Sequence, residues 1–198
     1  MGRGRVGKRI PFKNIQGYNV KEEIIFSGFG GQGIMFMGKA IAYAAMNEGK
    51  YVTWIPSYGA EVRGGTAHSM VVISDEPIAS PMVKEPTICV AMNGPSLRKY
   101  EAKVKTNGLL IVNKSIADTE AERKDIEVLN IPVTALATEA GDYRIGNMAA
   151  LGALVGRRKI IDVESLINGL KDIVSSAYHS LLPINEKAIR KGFEYGSR

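Results

Sequence analysis

Residues 24–33 read Ile24-Ile25-Phe26-Ser27-Gly28-Phe29-Gly30-Gly31-Gln32-Gly33, an apolar run that ends in a cluster of glycines. A short apolar run that glycine stops is typical of a strand buried on both faces. Residues 33–48 then predict a helix rich in Ala and Met, which Gly49 is placed to end. Three small residues would let this helix lie close to a sheet: Gly38, Ala42 and Ala45. This part of the chain therefore predicts a strand, a tight turn and a helix.

The alternation of strand and helix continues along the chain. Further strands are predicted at 51–55, 69–74, 87–92, 108–113 and 126–129, and helices at 95–104, 147–155, 163–177 and up to 193. Asp162 and Asn185 stand where they could cap the last two helices. This order predicts an α/β fold, a three-layer α/β/α arrangement with a mostly parallel open sheet. A turn at 75–77 and a returning strand at 78–80 would form a hairpin and make the sheet mixed.

Basic charge is concentrated at the N-terminus. The chain has 198 residues and a net charge of +6, and residues 1–21 hold six basic residues and no acid. We therefore predict a basic, disordered tail at 1–21 and a single, electrically neutral domain at 22–198. The tail could contact an acidic partner or RNA, or serve only as a solubilising extension. The neutral domain argues against nucleic acid as the main partner.

Hydropathy and cysteine content restrict the classes of protein. No apolar run approaches the roughly 18 residues that cross a bilayer, and no apolar stretch follows the basic N-terminus as in a secretory signal. We therefore expect a cytoplasmic protein without membrane contact. Cys89 is the only cysteine and lies in an apolar stretch, so a buried core residue is predicted. One thiol cannot hold an iron–sulfur cluster, and the two histidines, His68 and His179, lie far apart, so no metal site is expected.

The glycine cluster itself satisfies the pattern G-x-G-x-x-G between a strand and a helix, through Gly28, Gly30 and Gly33, with Gly31 and Gln32 between them. This pattern suits a dinucleotide, because glycines allow close backbone approach and a helix N-terminus offers unpaired N–H groups. The acid that usually holds the ribose is missing from the end of the next strand, which reads Ile55-Pro56-Ser57. A tight turn without a ligand and an anion-facing loop remain as alternatives.

A second loop, residues 56–68, combines Arg63 with Gly64 and Gly65. If its strand runs parallel to the first, both loops leave the sheet at one edge, where open α/β sheets bind ligands. An arginine beside exposed backbone N–H groups suits a carboxylate, a phosphate or a pyrophosphate. Contact with a ligand or with a neighbouring subunit is predicted, and pairing of Arg63 with Glu61 is the alternative.

Two asparagines, Asn93 and Asn147, stand where a strand or loop gives way to a helix. Helix capping is the simpler interpretation of each, and ligand contact the other. A catalytic triad is not evident, since no G-x-S-x-G sequence supports a serine nucleophile. The residues alone therefore predict a binding edge without catalytic machinery.

Four segments taken in order resemble a known family: residues 28–33, 58–65, 92–97 and 146–152. Together they are similar to the signature of the gamma subunits of 2-oxoacid:ferredoxin oxidoreductases, over residues 22–195. The segment 58–65 is the most diagnostic, and Ala60 stands in it where the family more often has proline.

The resemblance implies an enzyme subunit without a complete active site of its own. These enzymes convert a 2-oxoacid and coenzyme A to acyl-CoA and carbon dioxide and reduce ferredoxin. The resemblance implies alpha and beta partner subunits, and a delta or ferredoxin-like subunit, which hold thiamine diphosphate and the 4Fe–4S clusters, with no cofactor bound by this chain alone. The glycine-loop edge would face the coenzyme A cavity, and the isolated chain could form a homodimer.

The 2-oxoacid itself is left open, with 2-oxoglutarate favoured over branched-chain 2-oxoacids and pyruvate. A free-standing NAD(P)-dependent oxidoreductase and a nucleotide- or coenzyme A-binding module are the alternative functions. The first would have to bind a ribose without the usual acid, and the second would need no obligate partners.

Overall fold

The computed structural model of the protein describes residues 21–57 and 66–198. Six strands of this part of the chain form one sheet: β1 (Lys21–Gly28), β2 (Tyr51–Pro56), β3 (Ala67–Ser74), β4 (Ile88–Ala91), β5 (Leu109–Asn113) and β6 (Glu127–Ile131). The α-helices are α1 (Ile34–Asn47), α2 (Gly94–Tyr100), α3 (Val133–Ala140), α4 (Gly146–Arg158), α5 (Val163–Ile173) and α6 (Leu182–Gly196). Single turns of 3₁₀ helix lie at Glu101–Lys103 and Tyr143–Ile145, and a longer one at Ser176–Leu181. All but the last residue of the predicted basic tail, Lys21, lie outside the described residues.

The sheet is mostly parallel, with one reversed strand. The strand order is β2-β3-β1-β4-β5-β6, and β3 is antiparallel to both of its neighbours. The other neighbours pair in parallel. Because β2 and β1 are both antiparallel to β3, they run in the same direction. Five strands therefore end at one edge of the sheet, which we call the carboxyl edge; the opposite edge is the amino edge.

The sheet is mixed for a different reason from the predicted one. Residues 78–80 form no strand, so the hairpin expected after the turn at 75–77 is wrong. Pro77 and Pro81 flank this segment, and proline lacks the N–H that a strand needs for pairing. The antiparallel strand is β3 itself, which lies between β2 and β1.

Helices cover the two faces of the sheet unequally. Ile24 and Phe26 of β1 point to one face, into a large core beneath α1, α3, α4, α5 and α6. Ile25 points to the other face, into a smaller core covered by α2 and irregular segments. The three-layer α/β/α fold is confirmed, and its second helical layer is thin.

Helix α1 lies close to the sheet at Gly38. A Cβ atom there would collide with the Ser69 hydroxyl and would lie 2.9 Å from Trp54 Nε1. These two groups are hydrogen-bonded, Trp54 Nε1 donating to Ser69 Oγ at 2.8 Å. The prediction that small residues bring this helix against the sheet is confirmed here. Gly49, with a φ of 82°, ends the helix as expected.

The last third of the chain departs from prediction at the helix ends. Asn185 is buried inside α6, which begins three residues earlier, so its predicted capping role is wrong. Asp162 occupies the N-cap position of α5, but its side chain makes no capping bond. Helix α3 has eight residues and was not predicted, because so short a segment shows little periodicity. None of the helices in the described ranges combines the length and apolarity needed to cross a bilayer.

Candidate functional site

The turn between β1 and α1 is held in shape by one side chain, that of Gln32. Its Oε1 accepts a hydrogen bond from the Phe29 N–H at 2.6 Å, and its Nε2 donates to the Met92 carbonyl at 3.1 Å. Gly28 lies beneath it, where a Cβ would be 2.5 Å from Gln32 Oε1 and 3.0 Å from Met92 Cβ. A side chain at position 28 would therefore displace Gln32, which ties the turn to the end of β4.

The other end of the turn is shaped by a residue far away in sequence. Gly33 has a φ of 72°, and a Cβ there would collide with the amide of Asn147, the second residue of α4. The neighbouring Gly31 has a φ of 90°, and nothing lies within 4 Å of the position that its Cβ would take. Gly30 and Gly31 are both exposed. One side of the turn is therefore fixed by packing, and the other is open.

The two predicted asparagines differ in role. Asn93 is fully buried, and its Oδ1 accepts a 2.8 Å hydrogen bond from the Ser96 N–H, so the capping interpretation of Asn93 is confirmed. Ser96 Oγ in turn accepts from the buried Ser27 Oγ at 2.9 Å, which links α2 to β1. Asn147 does not cap α4, whose N-cap residue is Ile145. It packs against Gly33 instead, and this contact joins the fourth predicted segment to the first.

Asn113, at the end of β5, also takes part in the hydrogen bonds around the Met92 carbonyl. The sequence motifs did not indicate this residue. Its Nδ2 donates to the Met92 carbonyl at 3.2 Å, and its Oδ1 accepts from the Ser115 N–H at 3.1 Å. The Met92 carbonyl therefore receives two amide donors, one from Gln32 and one from Asn113. The available signal was a buried apolar strand, Leu-Leu-Ile-Val, that ends in a polar residue at the carboxyl edge.

The second predicted loop leaves and rejoins the sheet at this same edge. Residues 58–65, which include Arg63, Gly64 and Gly65, lie outside the described residues. The flanking backbone is described: Pro56 pairs with Ser69, and Gly28 pairs with Ala67, so both ends of the loop lie at the carboxyl edge. Lys99 of α2 brings a positive charge to this place, since its Nζ donates to Thr66 Oγ1 at 3.1 Å.

Comparison with known proteins identifies the family. The family model of pyruvate ferredoxin/flavodoxin oxidoreductase matches residues 23–195. The chain belongs to this family. The 2-oxoglutarate synthase subunit KorC of Methanocaldococcus jannaschii is 35% identical over 88% of this chain and 94% of its own length. The common gamma subunit of the pyruvate/ketoisovalerate oxidoreductases of Pyrococcus abyssi is 32% identical over 87% of this chain and 95% of its own.

Some relatives of this oxidoreductase family are much longer. Ketoisovalerate oxidoreductase subunit VorA of Methanothermobacter marburgensis is 34% identical over 87% of this chain, but the match covers only 36% of VorA. The chain thus spans about a third of the length of that relative.

Among solved structures, too, one similar protein is about as long as the matched region and another is much longer. The gamma subunit of a keto/oxoacid ferredoxin oxidoreductase from Geobacter sulfurreducens matches with a TM-score of 0.76 and 30% identity, over 88% of this chain and 98% of that one. The 2-oxoglutarate:ferredoxin oxidoreductase of Magnetococcus marinus, solved with 2-oxoglutarate, coenzyme A and succinyl-CoA bound, matches with a TM-score of 0.77 and 26% identity. That match covers 91% of this chain and 31% of the longer one.

The residues of this oxidoreductase-family chain do not fit an iron–sulfur cluster. Cys89 is fully buried in β4, and burial raises the pKa of its thiol to about 12, so it is protonated at neutral pH. A cluster needs several thiolates, and this chain has one cysteine. Among the described residues, no group of three His, Cys, Asp or Glu side chains is placed to hold a metal ion. What the described part of the carboxyl edge offers chemically is backbone N–H groups, side-chain amides and the Lys99 ammonium, which are groups suited to binding and orienting an anion.

Proposed function

We propose that this chain is the gamma subunit of a cytoplasmic 2-oxoacid:ferredoxin oxidoreductase complex, which converts a 2-oxoacid and coenzyme A to acyl-CoA and carbon dioxide and reduces ferredoxin. The supporting observation is the open glycine turn at the carboxyl edge, in a chain of the oxidoreductase family. Gln32 and Asn147 hold this turn from the side of the protein, which leaves Gly30 and Gly31 accessible.

The role proposed for the turn is to bind a phosphate group of coenzyme A. The turn leads into the N-terminus of the 14-residue α1, where unpaired N–H groups and the helix dipole favour an anion. Arg63, Gly64 and Gly65 belong to the loop whose two ends lie at the same edge. An arginine there would add a charge-assisted hydrogen bond to the same phosphate. Asn93 and Asn147 would act by positioning the turn and α2.

The cofactors of the reaction are assigned to partner subunits. Thiamine diphosphate supplies the carbanion chemistry of decarboxylation when bound, and we place it with the alpha and beta subunits. We place the 4Fe–4S clusters with the same subunits and with a delta or ferredoxin-like subunit, from which electrons reach ferredoxin. A single protonated thiol in this chain is consistent with that division.

We propose 2-oxoglutarate as the substrate, ahead of branched-chain 2-oxoacids and pyruvate. Three KorC relatives, named as subunits of 2-oxoglutarate synthases, are 35–37% identical and are matched over 86–94% of their own lengths. Relatives named for ketoisovalerate and pyruvate are 32–34% identical. The rates of ferredoxin reduction with the three 2-oxoacids decide among these substrates.

The test uses the complex purified from the native host or co-expressed with its neighbouring subunits. Ferredoxin reduction is measured against coenzyme A concentration with 2-oxoglutarate, 2-oxoisovalerate and pyruvate. Arg63→Ala should raise the apparent KM for coenzyme A about tenfold or more, since a hydrogen bond to a charged group contributes about 1.5–3 kcal/mol. Arg157→Ala removes an arginine from the C-terminal end of α4 and should leave this KM unchanged.

Two results would contradict the proposal. If the chain purifies without any thiamine diphosphate-containing partner, it is not a subunit of a 2-oxoacid:ferredoxin oxidoreductase. A complex that reduces ferredoxin with an unaltered KM for coenzyme A in Arg63→Ala would exclude Arg63 from the coenzyme site.

A further inference from the structure

Large hydrophobic side chains exposed to solvent are distributed unevenly over the described residues. Nine such side chains are at least 37% exposed, and five of them lie at the carboxyl edge. We call these five the apolar rim: Phe29, Ile116, Tyr143, Tyr178 and Leu181. A single exposed hydrophobic residue needs no explanation, but several on one side of a molecule mark an interaction surface.

The topology of the sheet places the first three rim residues at the carboxyl edge. Phe29 comes after the last residue of β1 and is 41% exposed. Ile116 comes three residues after the end of β5 and is 49% exposed. Tyr143, at 67%, lies in the 3₁₀ turn that leads into α4, the helix that presents Asn147 to the glycine turn.

The other two rim residues reach this edge because α5 is antiparallel to α1. The Asp162 N–H, before α5, donates to Glu48 beyond the end of α1 at 2.7 Å, and Lys39 near the start of α1 donates to the Ile173 carbonyl at the end of α5 at 3.4 Å. The 3₁₀ turn Ser176–Leu181 therefore emerges beside the start of α1, at the carboxyl edge. Tyr178 and Leu181 in this turn are 61% and 37% exposed.

The amino edge has fewer exposed aromatic side chains than the carboxyl edge. Its exposed hydrophobic side chains are Met46, Tyr51 and Met82, and it carries ion pairs between strand ends. Glu23 pairs with Lys21 and Lys105, and Lys50 pairs with Asp75. Ion pairs occur at both edges, since Asp142 and Arg144 pair beside Tyr143. The difference between the edges therefore lies in exposed aromatic side chains, in which interface centres are enriched.

The longer relatives indicate what covers the apolar rim. In VorA and in the Magnetococcus marinus enzyme, the region matched by this chain makes up 36% and 31% of a single polypeptide. The remaining two thirds are joined covalently to the matching domain there. Under the proposed function of a separate gamma subunit, that region would belong to a partner polypeptide, and this chain would need a surface on which to bind it.

We infer that the apolar rim is the surface through which this chain binds the subunit equivalent to the remaining two thirds of its longer relatives, which would close over the glycine turn. This inference rests on the proposed function for the identity of the partner, and it adds which face of the chain is covered. Burial of the rim would also exclude water from Gly30 and Gly31, which strengthens any hydrogen bond that their N–H groups make.

The experiment uses the co-expressed complex and compares the two edges. The double variant Tyr143→Ser, Tyr178→Ser alters only exposed side chains of the rim. The matched control, Met46→Ser, Met82→Ser, alters exposed side chains of the amino edge. The affinity for the tagged partner subunit should fall at least about tenfold in the rim variant and stay unchanged in the control, because truncated interface aromatics are typical binding hot spots.

A photo-cross-linker locates the contact independently of affinity. With p-benzoylphenylalanine in place of Tyr143, irradiation of the complex should give a covalent product with the partner subunit, whereas the same group in place of Met82 should give none. Cross-linking to the partner at Met82 alone, or equal loss of affinity in both double variants, would overturn the inference. Cross-linking of Tyr143 to a second copy of this chain would also overturn it.

The same data separate this inference from the proposed function. If the rim variant assembles normally and reduces ferredoxin with coenzyme A, the rim is not the partner-binding surface, and the proposed function still holds. If the unaltered chain assembles with no thiamine diphosphate-containing partner, both the inference and the proposed function are contradicted.

Discussion

One carbonyl oxygen, that of Met92, organises the glycine turn. It accepts Gln32 Nε2 at 3.1 Å and Asn113 Nδ2 at 3.2 Å, so amides from β5 and from the turn meet at the end of β4. A carbonyl oxygen has two lone pairs, and both have a donor here. The turn that contains Gly30 and Gly31 is therefore tied through Gln32 to the end of β4.

Replacing Gln32 should loosen the turn. Gln32→Ala removes the acceptor for the Phe29 N–H and one donor to Met92, and we expect the free energy of unfolding to fall by about 1–2 kcal/mol. Asn168→Ala, in which an exposed amide is removed from α5, should change it by less than about 0.5 kcal/mol. Denaturant unfolding measures both, and faster hydrogen exchange of the Phe29 amide should accompany the first. Unchanged exchange at Phe29 would show that Gln32 does not hold the turn.

At the scale of elements, the closest packing in the described chain is between helices α4 and α6. Glycines on both helices let the two backbones approach. A Cβ at Gly152 would lie 2.9 Å from the Ile189 Cα, and one at Gly192 would lie 2.8 Å from the Ala149 carbonyl carbon. Because backbone atoms cannot move aside as a flexible side chain can, these glycines are required by the helix pair. The pair in turn places Asn147 against the glycine turn.

Alanine at Gly192 should therefore destabilise the protein. We expect Gly192→Ala to lower the free energy of unfolding by about 1–3 kcal/mol through overpacking against Ala149. Gly169→Ala on α5 is the matched control. Its Cβ would meet the Tyr43 ring at 3.3 Å, and alanine favours the helix by about 1 kcal/mol, so this variant should be neutral or stabilising. Thermal unfolding distinguishes them, and equal effects would contradict the packing account.

The amino edge predicts a dependence of stability on pH. Burial tends to raise the pKa of Glu23, but hydrogen bonds and charges from Lys105 and Lys21 outweigh it, so the pKa in the folded protein lies below the ordinary value of 4.5. A carboxyl with a lowered folded pKa stabilises the protein above its unfolded pKa, and this contribution is lost as the pH falls through the folded pKa.

Glu23→Gln should consequently lower the thermal midpoint at pH 7, and the difference from the unaltered protein should shrink as the pH falls below 4.5. Glu194→Gln, at an exposed position on α6, removes the same charge and should leave the midpoint nearly unchanged at both pH values. A difference for Glu23→Gln that stays constant or grows toward pH 3 would contradict the assignment.

At the scale of the whole molecule, Cys89 reports on global unfolding. It is the only cysteine and is fully buried in β4, between β1 and β5, and its pKa is raised to about 12. We expect a thiol reagent at pH 8 to label the native protein at a rate set by global opening, and the denatured protein at once. Cys89→Ala combined with Ser176→Cys moves the thiol to the exposed 3₁₀ turn and should label rapidly in the native state. Rapid native labelling of Cys89 would reveal a local opening of the sheet.

Local sequence signals predicted most elements of this molecule but little of the site. The strand, turn and helix of residues 21–47, the buried Cys89 and the Asn93 cap all depend on periodicity or on neighbours within a few residues. The contact between Asn147 and Gly33 spans more than a hundred residues, and the Asn113 bond to Met92 spans 21. A pattern read along the chain carries no information on such pairs.

The sequence by itself determined the class of fold and the family, because apolar period, glycine position and four ordered segments are local properties of the chain. Only the tertiary structure decided that the reversed strand is β3 and that β2 therefore runs with β1. The reason is physical. Which strand pairs with which, and which side chain meets a glycine, depends on contacts between residues far apart in the chain. The resulting strand directions place the glycine turn and the two ends of the second loop at one edge.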